Sequence, residues 1–489
     1  MTLPNRDRQG VDASRVSGFR YRTGEILLVA LFAACVSFQL FVPPSIGLAN
    51  NGDFGKMTGR FSLGPGTFDT SDEYKYVTSR WVYNRSFYWL SDNRSSELIP
   101  ITAAVLTGWW FSNHIFDIRI LGAIHASLWI ACFAAFLPLL RPLAGWRRPM
   151  VSAVAVFIFT DVSYIACCNS FYTDVAAFLF LAWSVVLWLH VVNGQAPSTG
   201  LFVTFVGASI LCVLSKAQHA ALGPFLCVLA VIAAMLFEGR WRKALALLAA
   251  GLILAAAAVS FQLMPEQEKR DDAYAGIFMI VLPKSTAVLE DLRELGLGPE
   301  YLPFVNHWPI PAVDNTTAGQ QLWNDFNQRT SHGKMAWFML WHPWRAAAIV
   351  YRTLHHEAFL RRPHLGNYER QYGFPAGAET NSFGWWSALR SAPFRLAPWH
   401  ILVWYAAVFG LGIWLAIRKR GSVALRMSLL GVLLAGMGLV ELGVSSVADA
   451  GEIARHLFLF HVITDFTIVL AIVWAGWASQ GKASLRASS

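Results

Sequence analysis

The chain has 489 residues, 55% of them hydrophobic and only 14% charged, with a mean hydropathy of +0.44. That balance excludes an ordinary water-soluble domain, where about 25% of residues are charged. The net charge of +9 suits anionic lipid headgroups and membrane sidedness rather than nucleic acid.

Apolar runs recur that can cross a hydrocarbon core of roughly 30 Å at about 1.5 Å per residue. They lie near 24–42, 117–140, 149–163, 174–193, 200–215, 220–237, 244–263, 400–417, 422–443 and 456–478, the third and fifth being short. The pattern predicts an all-α polytopic membrane protein of about ten transmembrane helices. Basic residues mark alternate connections: Arg6 to Arg22 before the first run, then Arg141, Arg147 and Arg148, then Arg240, Arg242 and Lys243. Arg418, Lys419 and Arg420 follow the eighth run, and Lys482 and Arg486 close the chain. Positive charge is retained on the cytoplasmic side, so both termini are expected there. The first run is read as a retained anchor rather than a signal peptide, being long for an h-region.

The opposite, outer side carries most of the non-membrane mass. Residues 1–263 read as an N-terminal membrane module with a first outer loop at 43–116. Residues 264–399 form one large outer loop, and 400–489 return to the membrane. Glu97 to Phe111 reads as a juxtamembrane helix with Trp109 and Trp110 at headgroup level. In the large loop a helix is expected through Leu289 to Leu295, stopped by Gly296 and Gly298-Pro299. A second interfacial helix is expected from Met335 to Leu354 around His342-Pro343. The six cysteines show neither disulfide nor metal spacing.

Four polar constellations fall at outer ends of the runs. In the stretch from Asn50 to Lys56, Asp53 is either a solvated turn residue or a general base aligned by neighbouring amides. Asp161, Tyr164, Asn169, Tyr172 and Asp174 share one short hairpin, where acids near lipid need pairing or hydration. Lys216, with Gln218 and His219, either snorkels to lipid phosphate or binds the phosphate of a lipid-linked substrate. Arg455 and His456 open the last run beside Asp449 and Glu452, with His461 and Asp465 sharing a helix face farther in. Arg361, Arg362 and His364, Lys284 with Ser285, and Trp385-Trp386 add contacts for phosphate or sugar, or a solvated and interfacial face.

In this order and sidedness the chain resembles the GT-C superfamily of polytopic glycosyltransferases. Asn50 to Asp53, the 161–174 hairpin, Ser215 to Gln218, Leu282 to Ser285 before Leu295-Gly296-Leu297, and Arg455-His456 look like bacterial hexose transferases of glycan biosynthesis. The resemblance implies a polyprenyl-phosphate sugar donor, a glycan or lipid-linked acceptor, and a site on the periplasmic face of the bacterial inner membrane. It implies Asp53 as catalytic base. Donor and acceptor contacts would come from Asn51, Asp161, Tyr164, Asn169, Tyr172, Asp174, Lys216, Gln218, His219, Arg455 and His456. No DxD of the oligosaccharyltransferase type is evident, Asp69 and Asp72 being a poor substitute. No cofactor is therefore expected, and Mg or Mn has no motif behind it. An O-antigen-ligase or polymerase-like enzyme, drawing on Arg361 to His364, is the nearer alternative. A lipid-linked glycan transporter is the more distant one.

Overall fold

The computed structural model describes residues 6–65, 72–84, 94–143, 145–193, 197–308, 316–418, 423–448 and 450–487, with side chains described outside 6–22, 318, 423, 448 and 476–487. Asp69, Lys419, Arg420 and Asp449 lie outside the described residues, as do the side chains of the basic residues near both ends of the chain.

The protein is an all-α, multi-pass membrane protein. Among the described residues, eight helices are long and apolar enough to span: Thr23–Phe41, Ile118–Leu140, Asp174–Asn193, Ala217–Ala234, Arg240–Gln262, His400–Arg418, Ala424–Val447 and Ile453–Ala475. The two remaining expected runs are the short ones. The third is a bent pair, Arg147–Phe159 and Val162–Cys168, turned by 59° and a ninth crossing if counted as one span. Asp161 causes the break: its backbone is extended and its carboxylate accepts the Ser163 N–H at 2.9 Å, which starts a new helix instead of continuing the old one. The fifth run is Thr199–Val213. At 15 residues it covers about 22 Å, less than a hydrocarbon core.

Asp174–Asn193 is the most enclosed span, with 83% of its apolar window buried, so it forms the axis around which the bundle packs. Its indoles are tied to neighbouring helices: Trp188 donates to the Leu229 carbonyl at 2.7 Å and Trp183 to the Leu128 carbonyl at 3.2 Å.

At the end of the bundle that carries the predicted site, two small antiparallel sheets fasten the loops. Ile46–Leu48 pairs with Leu365–Tyr368, Ile46 facing Tyr368, and joins the first loop to the 264–399 region. Leu63–Pro65, Arg80–Tyr83 and Ile115–Asp117 form the other. The 264–399 region has its own core, with Tyr274, Phe278, Tyr301, Phe326 and Phe338 at its centre. Its Val288–Glu294 helix ends before Gly296, whose φ of +86° only glycine adopts easily. His332–Trp341 and Pro343–His356 are separate helices, because Pro343 opens the second at a position where no N–H is needed. Trp109, Trp110, Trp337, Trp341, Trp344 and Trp385 are exposed around this end. Amphipathic rings of this kind belong at a membrane–water boundary.

Candidate functional site

Asp53 is presented by a turn built for it. Gly52 takes φ +98°, and the Asn50 side chain accepts the Gly52 and Phe54 N–H groups at 2.9 and 3.2 Å. Asn51 Oδ1 accepts the Asp53 N–H at 3.1 Å. Asn50 thereby does the capping of the short Phe54–Thr58 helix, and Asp53, although at the cap position, makes no cap bond with its carboxylate. That carboxylate turns instead toward cations. One oxygen is paired with Arg455 and the other with Lys56 at 3.0 Å. Burial pushes the Asp53 carboxyl up, but Arg455 and Lys56 outweigh it and hold the group well below the usual carboxylate range. Lys56 also bridges to Glu268 at 3.1 Å, and its two acids raise its ammonium against the lowering effect of burial.

These groups line a cavity of about 660 Å³ together with Tyr172, Asp174, Lys216, Gln218 and His456. Asn51 is there too, its amide donating to both oxygens of Glu452 at 2.6 and 2.7 Å; Glu452 in turn holds Arg455 at 2.9 Å. Residues about 400 positions apart are thus locked into one rim. Asp174, the first residue of its span, faces Lys216 at 3.7 Å, Arg362 at 3.9 Å and His219 at 4.0 Å. The Tyr172 ring lies beneath two guanidinium groups, Arg362 at 5.0 Å and Arg455 at 5.4 Å from its centroid.

Gln218 determines which proton His456 carries. Its amide nitrogen donates to Ser445 Oγ and the His456 carbonyl, both at 3.0 Å, and to Glu441. The amide oxygen therefore faces His456 Nδ1 at 2.6 Å and needs an N–H there. Lys216 Nζ stands 3.2 Å from the same nitrogen, which, protonated, offers it no lone pair. With its Asp174 pair also long, Lys216 is loosely held and ready for an incoming anion. Phe261, Met335, Met339, Val444 and Val447 give the cavity an apolar wall, interrupted by Ser260, Asp272 and His332.

Three of the predicted site residues stand elsewhere. Asp161 caps a helix and accepts the Ser387 N–H at 2.9 Å from the large loop. Tyr164 donates to Asp465, which also accepts the Trp386 indole N–H at 2.7 Å and pairs with Arg390 at 3.2 Å. Asn169 donates to the Leu40 and Ile46 carbonyls at 3.2 and 2.8 Å. It is wedged between Gly47 and Gly122, where an added Cβ would meet its atoms at 2.9 and 1.9 Å. His219 touches the site's rear through Asp174 and Glu441, the latter at 2.9 Å. Arg361 pairs with Glu379 at 3.2 Å, and the His364 ring packs on Tyr74. None of Arg361, Arg362 and His364 lines the cavity.

Sequence reading placed Lys56 at the end of the Asn50 to Lys56 constellation without giving it a role, and did not single out Glu268 or Glu441. Lys56 had a signal, lying three residues after Asp53 on the same short helix. Glu441 had one as well, an acid inside an apolar run. Glu268 had none, since its partner is more than 200 residues away. The buried pair of Glu97 and His125, 2.9 Å apart, was missed because each residue falls in a segment read only for its apolar pattern. Among the described residues, no group of three or more His, Cys, Asp or Glu side chains is arranged to hold a metal ion.

Neither the curated proteins nor the solved structures contain a match to this chain. The family model described as the YfdI N-terminal transmembrane domain matches residues 14–486, nearly the whole length, and the chain belongs to that family.

Proposed function

We propose that this protein is an inverting glycosyltransferase that moves a hexose from a polyprenyl-phosphate carrier to a glycan or lipid-linked acceptor at the periplasmic face of a bacterial inner membrane. One observation carries the reading: Asp53, Lys216 and Arg455, remote in sequence, share one cavity at the loop-bearing end of the bundle, with apolar walls beside them.

The reaction follows from that juxtaposition. The acceptor hydroxyl gives its proton to Asp53 as its oxygen attacks the anomeric carbon from the face opposite the carrier. The bond from that carbon to the phosphate oxygen breaks, the configuration inverts, and polyprenyl phosphate leaves with the bonding pair. Positive charge on the sugar peaks in an oxocarbenium-like transition state, by analogy with glycoside hydrolysis. The negative charge developing on the leaving phosphate is met by Lys216 and Arg455, and preorganised charge of this kind is commonly the largest catalytic contribution.

Arg455 has two claims on it. Paired with Asp53, it neutralises the carboxylate and depresses its basicity; a donor phosphate drawing on the same guanidinium weakens that pair. Asp53 then keeps Lys56 and recovers affinity for a proton only once the donor is seated. Asn51 and Glu452 hold Arg455 in place during this exchange.

The test is a transfer assay in membranes with radiolabelled polyprenyl-phosphate hexoses and matched protein abundance. Asp53→Asn should insert normally and lose transfer by about 10²–10⁴-fold, the usual range for a general base. Normal transfer by that variant rejects the base, and no transfer by the wild-type chain with any hexose rejects the reaction.

A further inference from the structure

A second cavity, of about 930 Å³, occupies the opposite half of the bundle and shares no lining residue with the first. Phe178, fully buried on the central span and lining neither cavity, packs against Trp129, Tyr164 and Phe458 with centroids 4.5, 5.6 and 5.9 Å away.

The shape of this chamber is informative. Its floor is Trp129, Ala182, Leu434 and Phe466, near the middle of their helices, with Phe159 at the break of the bent third span, and it opens past Leu140, Asn193, Trp414 and Ala424 toward the helix ends. From Trp129 to Leu140 a helix rises about 16 Å, close to half of a roughly 30 Å hydrocarbon core. The chamber is therefore one leaflet deep. Among its 28 lining residues the polar ones are Arg141, His190, Asn193 and Ser428, all toward the opening. His190 is bonded through Nε2 to the Ala135 carbonyl at 2.7 Å and the Ser428 hydroxyl donates to the Ala424 carbonyl at 2.7 Å, so each has one polar contact within the protein. An apolar chamber of this size does not favour water, and its volume falls in the range of ligand sites.

The rim is basic. Arg141 and Arg148 share the carboxylate of Glu25, Arg418 lies over the Trp414 ring at 4.4 Å, and Arg426 donates to the Val192 carbonyl. Two of these guanidinium groups share the one carboxylate of Glu25, and the other two lie against a ring and a carbonyl, which leaves a positive surface at headgroup level that attracts anionic lipid. An apolar shaft one leaflet deep beneath a basic rim has the form of an amphiphile with a negative head.

We infer that this chamber holds an acyl chain of an anionic phospholipid from the leaflet opposite the candidate site, with the phosphate at the Arg141 and Arg426 rim. The lipid enters from the basic face and does not communicate with the outer cavity. This does not depend on the proposed transfer reaction.

The full chain can be reconstituted in phosphatidylcholine vesicles containing a trace of phosphatidylglycerol with a diazirine on its acyl chain, irradiated, and mapped by mass spectrometry. Adducts are expected on Phe133 to Leu140 and on Leu430 to Leu434. Their yield should exceed that from a phosphatidylcholine probe by about fivefold for one arginine acting on the headgroup. Ala182→Phe, which fills the floor, should remove them. Arg141→Gln with Arg426→Gln should erase the preference for the anionic probe while leaving the chamber intact, so the inference stays testable if the first variant does not fold. Equal yields from the two probes, or adducts unchanged in both variants, overturn it. Displacement of the probe by polyprenyl phosphate at lower concentration than by phosphatidylglycerol overturns the choice of phospholipid.

Discussion

The 161–174 hairpin supplies both a framework and a site, and its two ends differ in what they face. Asp161, Tyr164 and Asn169 turn into protein. They receive the Ser387 N–H, approach Asp465, and bridge the Leu40 and Ile46 carbonyls. Tyr172 and Asp174, at the hairpin's far end, turn into the cavity and lie among Lys216, Arg362 and Arg455. The hairpin's two acids are the same residue type in one short segment, so composition does not separate them. What separates them is the partner: neutral N–H and O–H donors at one end, cations at the other. A carboxylate satisfied by two backbone donors has little capacity left for a ligand, whereas one ringed by long ion pairs leaves its cations available.

The largest effect that sharpens this contrast falls on the framework. Asp465 is fully buried and receives Tyr164, Trp386 and Arg390 at once, which fastens the Trp385–Leu396 helix to the last span. Asp465→Ala leaves Arg390 buried without its acid, a change that costs about 3–5 kcal/mol in comparable buried pairs. Thermal unfolding in detergent should show the loss, while turnover per folded molecule is retained. A variant that keeps its melting temperature but loses turnover would place Asp465 in the chemistry instead.

Lys216→Ala should do the reverse. Removing one preorganised charge from a developing anion costs about 10²–10³ in kcat, and a loosely paired lysine contributes little to folding. Retained kcat with a raised KM would make Lys216 a ground-state contact only. Smaller again is Asp161→Ala, which deletes a helix cap worth about 0.5–2 kcal/mol. It should lower the melting temperature and leave the KM for donor unchanged.

Much of the fold was legible because a membrane requires long apolar runs, and these survive in the sequence without any knowledge of tertiary contacts. The two runs that fell short were legible as short; what was not legible was that Asp161 would break the third by capping. The site was legible as an end of the molecule, since Asp53, Lys216 and Arg455 all sit where apolar runs stop. Which side chain of the 161–174 hairpin faces inward was not, because it depends on the Trp385–Leu396 helix more than 200 residues later. The Lys56–Glu268 bridge was hidden for the same reason. Long-range pairing fixes side-chain direction, and a single sequence carries almost no trace of it.

The smallest effect concerns Lys56, and it tests whether Asp53 belongs to the cavity's electrostatics at all. In the free protein Asp53 titrates below an ordinary aspartate near 3.9, because Arg455 and Lys56 outweigh the upward push of burial. A group whose folded value is depressed stays ionised as pH falls toward its unfolded value, and its contribution to stability is lost only as pH drops through the folded value. Between pH 7 and pH 5 the kcat/KM of the wild-type protein should therefore show no acid limb from Asp53. Lys56→Gln removes one of the two cations at a site only partly shielded from water, so the carboxyl rises by less than a unit given solvent screening; Arg455 still holds it down, and the window from pH 7 to pH 5 should stay flat. Glu268 keeps its other contacts, and the Asp53–Arg455 pair holds the turn. An acid limb between pH 7 and pH 5, in either the wild-type protein or the variant that still transfers sugar, means the proton is taken by a group outside the Asp53–Lys56 pair. His456, whose Nδ1–H is fixed by Gln218, is the next residue of the cavity to replace.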